Sequence, residues 1–459
     1  MADGPLKPDY RNLKIDMNHN KYSAAAIRKL VKRERVHGSV YTDPAIFELE
    51  MERIFGRAWV FLGHESQLPE PGDFLTTTIG NQPVVLTRDR EGALHALYNR
   101  CSHRGNKVAA LPGGNVAFLR CPYHGWTFRH DGALLSVPLR RGYDQARLRA
   151  ASAELSMQRL PCIDSFSGFV FGKLASGGPG LKEFLGGTVS SLTDMVNRSP
   201  AGRIELAGRP FRLLMRANWK LFLENLMDAM HARVVHESTV EAARTRLAED
   251  DQSLARSFAA EIISAVERNG SSYETWEKIG STVYPRGHSF IGGFFNPANF
   301  PPSYVTALEK SHGRQRAAEI LSVNRHNTII YPSVTTQAAY QQMRVIRPLA
   351  VDRTVVEAYQ FRLLGAPAEN SSRALTFANV QNSPSAMVMA DDVEIYNRVQ
   401  EGLAAKRPEW IDLGRNLDDD VRSDGTTTGL GTSELPIRNQ FRAWLDYMSS
   451  APRKVRARR

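Results

Sequence analysis

The sequence predicts an α+β fold in two unequal parts, a small all-β domain followed by a larger domain of mixed helices and strands. Three observations carry this expectation. Residues 59–98 alternate short apolar runs with the turn signals Pro69-Glu70-Pro71-Gly72-Asp73, Gly80-Asn81 and Arg90-Glu91-Gly92, the pattern of antiparallel β-structure. The run Ser176-Gly177-Gly178-Pro179-Gly180 then breaks that pattern. Beyond it, helical stretches around 219–268 and near 434–448 flank apolar, strand-like runs at 327–347 and 354–364. The expected division is an N-terminal helical segment at 1–40 packing on the larger domain, a β-domain at 41–176, and the larger domain at 181–459.

The N-terminal segment is rich in Lys, Arg and Asn and lacks an apolar h-region, so no signal peptide is expected. Its Arg28-Lys29, Lys32-Arg33 and Arg35, with Arg453-Lys454, Arg456, Arg458 and Arg459 at the close, contribute to a formal net charge of +11. They read as a solvated amphipathic helix and a frayed tail. No aromatic interleaving accompanies them, so no nucleic-acid partner is expected, whereas a basic surface suits an acidic electron-transfer protein. A hydrophobic content of 42% excludes a disordered chain. No run of 18 apolar residues occurs, so no membrane span is expected, and three cysteines fit a reducing cytoplasm.

In the β-domain, Leu111-Pro112-Gly113-Gly114-Asn115 reads as a hairpin turn and Ser167-Gly168-Phe169-Val170-Phe171-Gly172 as a closing strand. The loops Cys101-Ser102-His103-Arg104-Gly105 and Cys121-Pro122-Tyr123-His124-Gly125-Trp126 each hold one Cys/His pair, and 17 residues separate His103 from Cys121. This is the spacing of a Rieske [2Fe–2S] centre, in which two thiolates hold one iron and two imidazoles the other. Cys101, His103, Cys121 and His124 are therefore the candidate cluster ligands. The glycines and Pro122 suit tight loops that bring backbone N–H groups near the sulfurs. A Cys2His2 zinc site uses the same ligands, but these gaps do not fit the usual finger spacings. Cys162 is left over and reads as a small buried apolar side chain.

In the larger domain, residues 218–236 read as a helix with Leu223, Leu226, Met227, Met230 and Val234 toward a core. Glu224, Asn225, Asp228 and His231 form a polar stripe, and no Lys or Arg falls between 221 and 232. With His236 they offer two imidazoles and an acid, a ligand set for Fe(II) with open positions. Asp228 and His231 share a face, whereas His231 and His236 stand about 140° apart on an ideal helix. Both imidazoles meet one metal only if the helix ends, bends or widens near 232–235. Far downstream, Asp391-Asp392 follows the apolar run Ala386-Met387-Val388-Met389-Ala390, and acids there need partners or a metal.

The two constellations resemble the Rieske non-haem iron oxygenases, specifically the large (α) subunit of aromatic-ring-hydroxylating dioxygenases, over nearly the whole chain. The resemblance implies a catalytic domain built as an antiparallel sheet wrapped by helices. It implies a mononuclear Fe(II) held by His231, His236 and Asp392, with Asp391 as the alternative acid. Asp228, with Asn225 beside it, would serve catalysis by accepting a hydrogen bond from His231, without a Lys or Arg partner of its own. Across a subunit interface Asp228 would meet the neighbour's His124. Respiratory Rieske proteins carry a further cysteine in each loop; Asn106 and Tyr123 stand at those positions here, so no clamping disulfide is expected and the potential belongs near −150 mV, in order of magnitude.

The implied activity is cis-dihydroxylation or monohydroxylation of an aromatic ring with O2 and NADH-derived electrons. The implied partners are a reductase and a ferredoxin, a small β subunit, and two further α chains in an α3 or α3β3 assembly. The overall pattern looks most like the aromatic-acid branch. Arg344 matches a position that binds a substrate carboxylate, although an ordinary strand salt bridge is the alternative, and Leu430 stands where a second arginine would be. Met387 and Val388 are the candidate apolar substrate contacts. A Rieske monooxygenase or demethylase is the nearest other enzyme. A zinc-stapled module or a pure electron-transfer protein would leave the second His/Asp set unexplained.

Overall fold

The computed structural model describes residues 22–249, 258–292, 300–323, 325–382 and 387–450. The basic tail from Arg453 onward lies outside them. Among the described residues no helix is long and apolar enough to cross a membrane.

The first part is built on a four-stranded antiparallel sheet in the order Leu94–Tyr98, Gln82–Arg88, Asp73–Ile79, Gly113–Asn115. Strand periodicity explains its two faces. Val84 and Leu86 point into the large core shared with the rest of the chain, while Val85, with Phe74 and Leu97, points into a smaller core that also holds Cys101 and Cys121. Gly113–Asn115, expected as a turn, is an edge strand on Asp73–Leu75. A Cβ at Gly113 would come within 2.9 Å of the Phe74 carbonyl, and Asn115 Nδ2 donates to Pro71 O and Asp73 Oδ1, so close pairing wins over turn formation.

The closing hairpin, Cys162–Phe166 with Phe169–Lys173, turns at Ser167 and Gly168, both at positive φ (52° and 87°), as a two-residue hairpin of native twist requires. Phe169–Lys173 then pairs with Val60–His64, and Phe169, Phe171 and Phe61 join Phe184 and Tyr359 of the second part in one core. Cys162 is half-buried, not enclosed, because it begins the outer strand of this hairpin.

The second part centres on a ten-stranded sheet in which every pairing is antiparallel. Its long central pair is Gln342–Ala350 with Arg353–Leu363, and the helices Trp219–Leu226, Ala368–Asn382, Met387–Leu403 and Leu435–Ser449 pack around it. The helix expected near the N-terminus is short, Ala24–Arg28. The chain then forms a strand, Arg35–His37, against Trp410–Asp412. Two of its cations are not merely solvated. Lys32 and Arg35 lie over the Trp410 ring at 4.7 and 4.9 Å, which favours an extended approach over a continued helix.

One buried carboxylate joins three segments. Glu50 Oε1 accepts from Lys220 Nζ and from Trp444 Nε1, each at 2.6 Å, and Oε2 accepts from Trp219 Nε1 at 2.8 Å. Glu50 is fully buried and Lys220 nearly so, which ties the N-terminal helix Pro44–Glu50 to Trp219–Leu226 and Leu435–Ser449. Replacing Glu50 by Gln leaves the Lys220 charge uncompensated, and stability should fall by about 3–5 kcal/mol. Denaturant titration of Glu50→Gln checks this, and adding Lys220→Met should restore most of the loss.

Candidate functional site

The two Cys/His loops are built alike. The Cys101 amide donates to Asn106 O at 2.8 Å and the Cys121 amide to Trp126 O at 2.8 Å. Gly105 and Gly125 return their amides to Cys101 O and Cys121 O at 2.9 and 3.0 Å, from φ values of +75° and +71° that favour glycine. Both thiols are buried and unlinked. The backbone N–H groups of His103 and Arg104 face the Cys101 sulfur, and those of Tyr123 and His124 face Cys121. Burial nevertheless pushes the Cys101 thiol up, whereas at Cys121 the N–H donors outweigh burial and hold the thiol below its ordinary range.

The imidazoles of His103 and His124 approach to 4.7 Å between centroids, and His103 stacks on Trp126 at 4.8 Å. Burial, then the neighbouring His124, favours the neutral form of His103, the form a metal ligand needs. Its Nδ1 is buried without a hydrogen-bond partner. Two thiolates and two imidazoles on facing loops fit a [2Fe–2S] cluster. Tyr123, 59% exposed, lays its ring against His124 at the tip.

The second set lies where the expected single helix is interrupted. Asn218 caps Trp219–Leu226 by accepting from the Lys220 amide, the helix stops at Met227, and Met230–Val235 starts anew before His236 introduces Glu237–Ala248. The first break therefore falls at 227–229, ahead of the expected 232–235, and a second falls at His236. Asp228 causes the first. Its Oδ1 accepts the Met230 amide at 2.9 Å, an Asx turn that competes with helix continuation. The apolar stripe loses register across it, and Val234, expected in the core, is 65% exposed.

These breaks bring both imidazoles to one point. His231 Nε2 and His236 Nε2 each lie 3.5 Å from Asp392 Oδ1, and one ligand atom from each of the three residues falls within 4.8 Å of the others. Asp391 takes the opposite side of His236, with Oδ2 at 3.2 Å from Nδ1 and from Thr239 Oγ1. Asn225 Nδ2 donates to Asp392 Oδ1 at 3.1 Å. Burial alone would raise the Asp392 carboxyl, but His231, His236 and Asn225 hold it below the ordinary range. Burial opposes the His231 imidazolium, and Asp392 and Asp228 override it. Two imidazole nitrogens and a carboxylate oxygen fit a mononuclear Fe(II).

Two expectations about Asp228 are corrected. Its Oδ2 stands 3.8 Å from His231 Nδ1, too far for a hydrogen bond, and that nitrogen is buried without a partner. Asp228 does have an arginine: Arg415 Nη2 lies 3.3 Å from Oδ1. Oδ1 is thus engaged by the Met230 amide and by Arg415, and Oδ2 is left facing His231 from beyond hydrogen-bond distance. Sequence reasoning missed Arg415 and Thr239 because neither belongs to a motif.

Arg344 is buried, donates to Asn327 Oδ1 at 3.0 Å, and lies over the Phe222 ring at 5.9 Å. It makes no ion pair among the described residues, so the strand salt bridge is absent. Burial lowers its guanidinium to about 10, while Tyr396 and Asp392 support the charge. Val388 packs with Ala243 and Val266 in a small apolar cluster; the Met387 side chain lies outside the described residues.

A fold of this kind with these two ligand sets defines a Rieske-type oxygenase. Residues 58–152 match the Rieske [2Fe-2S] domain, and residues 202–450 match the ring hydroxylating alpha subunit (catalytic domain). The chain belongs to that family. It is an oxidoreductase that uses a Rieske [2Fe–2S] cluster and a mononuclear non-haem iron. The α subunit of toluate 1,2-dioxygenase from Pseudomonas putida is 32% identical over 375 residues, covering 81% of this chain and 79% of that one. The large subunit of 2-halobenzoate 1,2-dioxygenase from Burkholderia cepacia is 31% identical over 396 residues, covering 83% and 80%. In fold, the chain matches naphthalene 1,2-dioxygenase with indole bound in the active site, with a TM-score of 0.77 at 23% identity over 94% of this chain and 95% of that one.

The geometry separates the two adjacent acids. Asp392→Ala should lose the mononuclear iron while keeping the cluster's absorption, whereas Asp391→Ala should keep that iron with about 10–100-fold weaker affinity. Metal analysis beside the visible spectrum checks both outcomes.

Proposed function

We propose that this chain is the α subunit of a terminal oxygenase that cis-dihydroxylates the ring of an aromatic carboxylic acid. The toluate and 2-halobenzoate enzymes among its relatives support the acid, and Arg344 carries the reading. A guanidinium buried in a core without a carboxylate partner is costly unless a ligand supplies one. It stands close enough to Asp392 to feel that charge, and a substrate carboxylate paired with it would hold the ring beside the iron site.

When bound, the cluster supplies electrons and the mononuclear iron supplies the place where dioxygen is activated. In this reading Cys101, His103, Cys121 and His124 hold the cluster, and His231, His236 and Asp392 hold the iron. Asp391, which also accepts from the Thr239 hydroxyl, fixes the ring of His236, so that Nε2 faces the metal position, and Asn225 fixes Asp392. Asp228 Oδ2, the oxygen left open by the Met230 amide and Arg415, would stand between His231 and the His124 of a neighbouring copy. The functional division is a cluster domain at 41–176 and a catalytic domain at 181–459, with the described part of the N-terminal segment, 22–40, packed on the latter. The wider assembly is an α3 or α3β3 ring with a β subunit, fed by a ferredoxin and an NADH-dependent reductase in the cytoplasm, where free thiols persist.

The test is turnover with reconstituted redox partners on benzoate-type acids and their uncharged analogues, with product identification. Arg344→Leu should raise KM for the acid by about 10- to 100-fold, the scale of a lost charge-assisted bond of about 1.5–3 kcal/mol, and leave the uncharged analogue nearly unaffected. Equal effects on both substrates would refute the carboxylate role.

A further inference from the structure

The two oxygens of Asp228 are in different environments. Oδ1 accepts from the Met230 amide at 2.9 Å and from Arg415 Nη2 at 3.3 Å, while Oδ2 alone faces His231, at 3.8 Å from Nδ1. The Met230 amide is fixed by the backbone of its helix. The guanidinium is fixed as well. Arg415 Nε donates to Thr432 O at 2.6 Å, its amide donates to Glu434 Oε2 at 2.9 Å, and Nη2 lies 3.8 Å from Glu434 Oε1.

The loop that carries Arg415 is held from beneath by a second arginine. Arg438, buried in the helix Leu435–Ser449, donates from Nη1 to Leu413 O and Arg415 O, each at 2.9 Å, and from Nη2 to Asp420 Oδ2 at 3.0 Å. A surface loop would ordinarily be free to move. Here its backbone carbonyls are pinned to a helix that is itself tied to Trp219–Leu226 through Glu50.

We infer that Arg415 is a positioning residue for Asp228: with the Met230 amide it occupies Oδ1 and so presents Oδ2 toward His231 and the neighbouring copy. This rests on the reading of Asp228 as the link between the two ligand sets. A planar guanidinium already spent on Thr432 O can offer Asp228 a donor from one direction only, which selects one carboxylate orientation; a lysine would supply charge without that direction. The buried, unpartnered Nδ1 of His231 is the group that gains from the selection, because a neutral imidazole bound through Nε2 carries its proton on Nδ1 and needs an acceptor there.

The experiment compares Arg415→Gln, Arg415→Lys, Asp228→Asn and the double variant Arg415→Gln/Asp228→Asn in the full, metal-loaded assembly. Metal content, the cluster spectrum, the Kd for substrate and the rate at which the reduced cluster is reoxidised in a single turnover are measured. Arg415→Gln should keep both metals and bind substrate within about twofold, yet slow reoxidation by about tenfold or more, the kinetic scale of one charge-assisted hydrogen bond. Arg415→Lys should recover part of the rate. The double variant should be no slower than Asp228→Asn alone, because both changes act through one carboxylate.

A crystal structure of metal-free Arg415→Gln should show the Asp228 carboxylate rotated, and an unchanged carboxylate would overturn the proposal. So would wild-type reoxidation in Arg415→Gln with a slow Asp228→Asn, or losses that add in the double variant. If Asp228→Asn itself reoxidises normally, the link reading fails and the positioning role falls with it. Should Arg415→Gln not fold, Arg415→Lys carries the comparison, and full wild-type behaviour there would overturn the directional argument.

Discussion

The Glu50 carboxylate constrains everything downstream of it. Two helices supply three N–H donors to its two oxygen atoms, and each donor would otherwise be buried without a partner. Trp219 and Lys220 are neighbours at the start of their helix, so fixing both sets its roll about its own axis. Roll decides where Asn225 points. Just before that helix ends, Glu224 accepts the Tyr41 hydroxyl at 2.9 and 3.1 Å, and burial lifts its carboxyl to about 7. Both ends of the helix are thereby fastened to the N-terminal region.

His236 shows how adjacent acids acquire different work. Successive residues on a helix point about 100° apart, so Asp391 and Asp392 leave the helix Met387–Leu403 in different directions. One reaches Nδ1 of His236 and the other approaches Nε2. A carboxylate oxygen therefore faces each nitrogen, Asp391 Oδ2 at 3.2 Å from Nδ1 and Asp392 Oδ1 at 3.5 Å from Nε2. The dipeptide alone does not reveal which acid takes which nitrogen; that depends on the second break at His236, which turns the ring toward the helix.

Much of this was legible in the sequence where cause and effect are close together. The cluster loops were readable because ligand, turn glycine and N–H donor fall within six residues. The strands within 59–98, 327–347 and 354–364 followed from alternation, turn chemistry and apolar runs, whereas Gly113–Asn115 was read as a turn and Ile204–Leu206 and Phe211–Met215 were not anticipated. The helix around 218–236 was misread because counting a 3.6-residue period assumes an unbroken helix, whereas Asp228 spends its side chain on the Met230 amide and resets the count. Partners far apart in the chain left no trace: Arg415 and Asp228 are 187 residues apart, and Glu50 and Trp444 are 394 apart.

The strand Gln82–Arg88 belongs to two cores at once, with Val84 and Leu86 on one side and Val85 on the other. The iron–sulfur portion is thus a separate chemical unit without being a separate folding unit. Severed at the glycine-rich break, it would present a bare apolar sheet face to water and tend to self-associate. Cooperative unfolding should therefore couple the two cofactor regions, so that loosening either one is felt as loss of grip on the other.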